Sequence, residues 1–279
     1  VLADSENRLW RASLSLGFSR RGATTVLSER RHTGPLTVQK PFYPEQDVCH
    51  VYLLHPPGGF VPGDRLLIDI HVQPGAHALI TTPAAGKCYR SDGRLSKLDQ
   101  TLRIESDAAL EWFPQETILY KGCYSELGTV VQLAQDARFI GWEIVCLGRP
   151  ASDELFDSGS CRLCLELWRD KQPLLLERGL FVGGSEVLNA AWGVRQASVL
   201  GTFVATDVAA EWLPTAREIS ARFENENAAC SVTQVDGVLV CRYLGHHAAQ
   251  AKDFFTEVWR LIRPSLLGRE ACLPRIWST

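Results

Sequence analysis

From Leu9 to about Thr206 the chain consists of short runs of β-branched and aromatic residues, cut by turn dipeptides such as Pro74-Gly75, Asp92-Gly93 and Gly183-Gly184. This pattern predicts strands. In Arg65–Val72 the apolar Leu66, Ile68, Ile70 and Val72 share one face while Asp69 and His71 share the other, so a half-buried strand with a wet outer face is expected. Similar runs fall at 101–105, 129–133, 162–168 and 174–181. No stretch of helical period separates them, and no solenoid-type repeat or low-complexity linker is evident. The spacing suits a sandwich, barrel or β-solenoid better than a parallel sheet with intervening helices.

The pattern changes near Thr206. Residues 206–227 predict a helix capped by Thr206 and interrupted or restarted at Pro214. A hairpin follows, Cys230–Val235 and Val238–Tyr243, joined by Asp236-Gly237. Ala248, Ala251, Phe254, Phe255, Val258, Leu261 and Ile262 then step by threes and fours, which predicts an amphipathic helix stopping near Pro264. The tail carries Leu273, Ile276 and Trp277 without a period. An apolar tail docks on its own domain or on a partner, and the pattern leaves both open. The expectation is one domain over residues 1–279, mainly β, with a β-rich part (9–206) and a mixed helix, hairpin and helix part (207–279).

Composition narrows the function classes. Lys and Arg total 29 against 32 Asp and Glu, a net charge of −3, which offers no basic surface for a phosphate backbone and argues against nucleic-acid binding. No run approaches the ~20 apolar residues of a membrane helix, and no secretory signal pattern opens the chain. The nine cysteines are odd in number and scattered, as expected of a reduced, cytoplasmic protein. The chain has no methionine, so Val1 is not expected to be the translated start.

Most motifs have ordinary explanations. Thr81–Cys88 contains Gly86-Lys87 but lacks the leading glycine, the Ser or Thr after the lysine and a following helix, so it is not a phosphate loop. Cys161 and Cys164 lie in a strand pattern, which points them to opposite faces, and His246-His247 point about 100° apart at a helix start. Glu143 is different. One face of its run carries Phe139, Val145 and Leu147 and the other Ile140, Trp142, Ile144 and Cys146, so a buried carboxylate is expected, partnered by water, a metal or an arginine such as Arg149. Glu111 and Glu177 are weaker cases, and Glu166 is expected to pair with Arg162 in solvent. Residues 55–64 (HPPGGFVPGD) form the most constrained turn, where Gly58, Gly59 and Gly63 permit positive φ and the Asp64 carboxylate caps backbone amides. A metal-dependent hydrolase using Asp64, His55 and His77 is the rival reading from another class.

The strings VYLLHPPGGFVPGDRL, PGAHALITTPAAGKCYRSDG, LEWFPQETI, CLGRP and VWRLIRPSLLGREACLPRIWST together resemble the urease accessory protein family UreD, called UreH in some organisms, from about Trp10 to Thr279. The resemblance implies a stack of strands wound like a solenoid with a few helices toward the C-terminus, and a non-enzymatic chaperone. Such a protein would bind apo-urease and UreF directly and the GTPase UreG through UreF. It would assist nickel insertion, with no permanently bound cofactor and with transient Ni²⁺ possible in an internal tunnel. The positions matching the family's acids are Asp64, Glu143 and Glu177. Gly58, Gly59, Gly63, Lys87, Tyr89 and Arg90 belong to its turn motifs, and Leu273, Ile276 and Trp277 are the candidates for contact with UreF. The chain departs from the pattern at Pro62, Ala84 and Cys88. The first two imply unstrained turns, and Cys88 puts a soft ligand where the family has an aromatic ring.

Overall fold

The computed structural model describes residues 11–149 and 152–278. Residues 1–10, 150, 151 and 279, counted above in the domain and the resemblance, lie outside the described residues. The chain passes back and forth between two sheets. On one lie β1 (Arg11–Arg21), β5 (Arg65–Val72), β8 (Ser96–Ile104), β11 (Tyr124–Leu133) and β14 (Ser160–Arg169), each parallel to the next. On the other lie β4 (Cys49–Leu54), β6 (His77–Thr81), β9 (Ala109–Phe113) and β12 (Arg138–Arg149), also parallel. Alternation between them winds a β-solenoid of about four turns, one of the three architectures the strand spacing allows and the one the resemblance implies.

The ends are finished by antiparallel strands. β2 (Thr24–Thr33) pairs with β1, and β15 (Gln172–Val182) pairs with β14, giving a seven-stranded sheet among the described residues. Beyond β12 the second sheet continues with β16 (Val199–Ala205), β18 (Val238–Gly245) and β17 (Ala229–Val235). β3 (Thr37–Val38) pairs with β4, and β13 (Glu154–Leu155) pairs with the end of β12. β7 (Gly86–Cys88) and β10 (Thr117–Leu119) form a short parallel extension on β12. The expected hairpin is present, with Asp236 and Gly237 both at positive φ as a two-residue hairpin turn requires.

A repeat that the sequence does not advertise appears in the turns. Ala76, Ala108 and Ala137 each donate their N–H to the carbonyl three residues earlier, at Gln73, Glu105 and Ala134, and each is buried. These turns recur about every 30 residues, one per coil. Only the alanine and the small or acidic residue before it are shared, so the period is hidden.

Helices α1 (Glu186–Asn189), α2 (Leu213–Phe223) and α3 (Ala248–Leu267) complete the chain. Two expectations about them change. Thr206 caps no helix: it is fully buried at the end of β16, and its Oγ1 accepts the Phe139 N–H at 3.0 Å. α2 begins at Leu213, with Pro214 in its first turn, where a missing N–H costs nothing. α3 does not stop at Pro264 but runs to Leu267 and ends on Gly268 at φ 67°. The carbonyl that Pro264 leaves without an intrahelical donor belongs to Arg260, on the exposed face, where water satisfies it at little cost.

The packing explains the doubly apolar β12. Phe139, Val145 and Leu147 join the core between the sheets, while Ile140, Trp142, Ile144 and Cys146 join a second core beneath α2 and α3. Phe254, Phe255, Val258 and Trp259 of α3 press on this outer face.

Candidate functional site

Strand register builds a polar seam inside the otherwise apolar core between the sheets. On one sheet Gln100, Thr129, Leu165 and Glu177 are successive neighbours across β8, β11, β14 and β15. On the facing sheet Glu143, Thr202 and Arg242 are neighbours across β12, β16 and β18. The rows meet through side chains. Gln100 Nε2 donates to Thr129 Oγ1 at 2.8 Å, and Thr129 Oγ1 donates to Glu143 Oε1 at 2.5 Å. Arg242 Nη1 donates to Thr202 Oγ1 at 2.8 Å and to Glu177 Oε2 at 2.5 Å.

Two cavities flank Glu143. One, of about 180 Å³, lies among Phe60, Ile68, Trp112, Gln100 and His55. The other, of about 400 Å³, lies among Glu177, Thr202, Arg242, Leu165 and Phe181. Glu143, Val145 and Leu163 line both, so Glu143 stands in the wall they share, and the surface it retains faces them. Burial pushes its carboxyl up to about 7, the Thr129 hydroxyl pulls the other way, and the nearby Glu177 charge adds to the rise. Such a group exchanges between acid and carboxylate at neutral pH. Its partner is therefore Thr129 and not Arg149, whose guanidinium is held by Glu154 at 2.6 Å and lies over the Tyr120 ring.

The three motif acids do not form one cluster. Glu143 and Glu177 share the larger cavity. Asp64 is buried in the turn of residues 55–64, where its Oδ2 accepts the Val61 N–H at 2.9 Å, the amide cap that its sequence context suggests. It reaches the smaller cavity only through His55, whose charge it senses. The turn is seated on the Lys87–Arg90 segment: Phe60 N–H donates to Lys87 O and Tyr89 N–H to Phe60 O. A side chain at Gly59 would fall 2.5 Å from the Tyr89 ring, and Gly58 and Gly63 have φ of 76° and 90°. These residues shape the rim of the smaller cavity. Arg90 is exposed and lies along Gly122. Pro62 and Ala84 take ordinary φ, as their side chains imply.

Other candidates are absorbed elsewhere. His77 binds Glu111 at 2.8 Å beneath α3, so it does not join His55 and Asp64 in a hydrolase ligand set. Among the described residues no group of three or more His, Cys, Asp or Glu is arranged to hold a metal ion. Cys88 is buried near Cys123 and Cys161, and burial raises all three thiols. Glu166 pairs not with Arg162 but across the hairpin with Arg178 at 2.6 Å, because the β14–β15 ladder puts Arg178 on the same face. Arg162 instead approaches Glu126.

The tail closes on its own domain. Trp277 Nε1 donates to Thr81 Oγ1 at 2.9 Å, its ring packs against Phe113, Trp142 and Trp259, and Lys252 sits over its face. Ile276 is half-buried and Leu273 is exposed.

The least legible feature is the network under α3. Arg263, fully buried, donates to Glu111 at 2.9 and 2.8 Å and to Glu45 at 2.7 and 2.9 Å. Glu45 also binds His50, and Trp259 Nε1 donates to Glu111 at 2.6 Å. Burial alone would raise Glu111, but His77 and Arg263 outweigh it and hold the carboxyl down at about 2. The apolar setting of Glu111 marks it as a buried acid, as expected, and the signal for its partner is Arg263, a charge four residues after Trp259 on the apolar face of the helix pattern.

Residues 11–278 match the family model described as UreD urease accessory protein. Similar full-length relatives are the urease accessory protein UreD of Alcanivorax borkumensis, 43% identical over 99% of this chain and 95% of that protein. That of Azoarcus sp. (strain BH72) is 45% identical over 97% of this chain and 94% of its own. That of Saccharophagus degradans is 40% identical over 98% and 94%.

Proposed function

This chain belongs to the UreD family of urease accessory proteins, and we propose that it acts in urease maturation as a non-enzymatic chaperone that passes nickel through its solenoid core. The observation that carries the reading is the seam at Glu143. A carboxyl balanced near neutrality stands in the wall shared by two cavities, and Glu177 lines the larger one with it. Nickel in transit needs oxygen ligands that release it, and isolated carboxyl and hydroxyl groups meet that need better than a thiolate cluster would. Nickel here is cargo, with no resident cofactor.

The chain's own residues have distinct parts in this scheme. Thr129 orients the Glu143 carboxyl by holding its Oε1. Gln100 fixes Thr129 by donating to it, so the hydroxyl proton points at Glu143. Asp64 holds the turn that carries His55 at the rim of the smaller cavity. Partners follow from the family role: apo-urease and UreF in direct contact, the GTPase UreG through UreF, in the cytoplasm. No described helix is long and apolar enough to cross a membrane. Co-expression with the urease structural subunits and UreF tests the reading. A recovered complex and nickel in the urease are expected; urease that fills with nickel equally well without this chain would refute it.

A further inference from the structure

Resting on the conduction reading above, we infer that Arg242 is a latch: its guanidinium occupies the cation position between Glu177 and the seam, and cargo must displace it to pass. Arg242 is the one charged residue of β18, in the run VLVCRYLG, and register places it beside Thr202 and one strand further from Glu143. It lines the same cavity of about 400 Å³ as Glu143 and Glu177. Its Nη1 is shared between Thr202 Oγ1 and Glu177 Oε2, so the carboxylate a divalent ion would meet is already paired with a cation. The pair sits at the open side of the cavity, with side chains 38% and 37% exposed, so the arginine can swing into water when a competitor arrives.

The consequence is a site that cannot trap its cargo. A dication gains Glu177 only by releasing a cation already there, and on its departure the guanidinium returns. Lysine keeps the charge and reaches the same carboxylate as a point charge, whereas methionine keeps the stem and loses the charge.

The test is Ni²⁺ binding to the purified full chain by equilibrium dialysis, with the parent, Arg242→Met, Arg242→Lys and the double variant Arg242→Met with Glu177→Gln. Arg242→Met is expected to bind Ni²⁺ at least ~10-fold more tightly, about 1.4 kcal/mol, with Arg242→Lys near the parent and the double variant returned to it. Affinity unchanged in Arg242→Met, or raised but insensitive to Glu177→Gln, overturns the latch. A thermal melt of each variant confirms folding, and Arg242→Gln, which also removes the charge, is read by the same criteria if Arg242→Met unfolds. Nickel content of urease matured with Arg242→Met separates the two readings. Tighter binding with less nickel delivered supports both, and tighter binding with unchanged delivery overturns conduction, leaving only the competition of Arg242 with a metal ion for Glu177.

Discussion

Thr129 donates its hydroxyl proton to Glu143 across the gap between the two sheets, 2.5 Å from oxygen to oxygen. The contact joins two strands, β11 and β12, that share no ladder, so side chains alone make this link between the facing sheets at the seam. The residue that accepts the proton also lines both cavities.

Stability should carry the mark of this carboxyl. Glu143 titrates near 7 in the folded protein against its ordinary value of 4.5, so between those values the folded state holds a proton that the unfolded state has released. Its contribution is complete below pH 4.5 and is lost as pH rises through 7. Urea unfolding of the parent and Glu143→Gln at pH 5 and pH 8 is expected to show the variant gaining on the parent at pH 8. Equal differences at both pH values would contradict it.

The network under α3 has the opposite sign. Glu111 is held at about 2, so its contribution is present above 4.5 and is lost as pH falls toward 2. Arg263→Met strands Glu111 and Glu45 without their buried counter-ion and is expected to cost about 3–5 kcal/mol. Chemical denaturation at pH 7 measures it, and a loss below about 1 kcal/mol would show that the carboxylates find other partners.

Trp277→Ala removes the ring that closes over Phe113, Trp142 and Trp259, and the Thr81 hydrogen bond with it. A destabilisation of about 2–3 kcal/mol is expected, less than for a fully enclosed tryptophan. Leu273→Asp, at an exposed position, is expected to leave the melting temperature unchanged. Co-purification of each variant with UreF then separates a folding role of the tail from a docking role. Binding lost with Leu273→Asp alone would place the partner on this face.

The strands were legible where one face is wet. Arg65–Val72 is the strand its alternation predicts, residue for residue, because Asp69 and His71 mark the outer face. The covering layer over the strand of Glu143 was legible because apolar residues on both of its faces demand one, and α3 supplies it on the outer side, while Glu143 itself is half-buried at the two cavities. Its partner was not, since Thr129 is near neither in sequence nor on a paired strand. Glu111 and Arg263, 152 residues apart, could meet only after the whole solenoid was wound. Pro264 misled for a local reason: the carbonyl it orphans faces water, and a helix tolerates that.

The central claim is that nickel passes Glu143. Glu143→Leu keeps a side chain of similar reach in the shared wall and removes both oxygens. Co-expressed with UreF, UreG and the urease subunits, it is expected to assemble the same complex as the parent, and the urease purified from those cells is expected to contain clearly less nickel per active site. An intact complex delivering the parental nickel content would contradict the account.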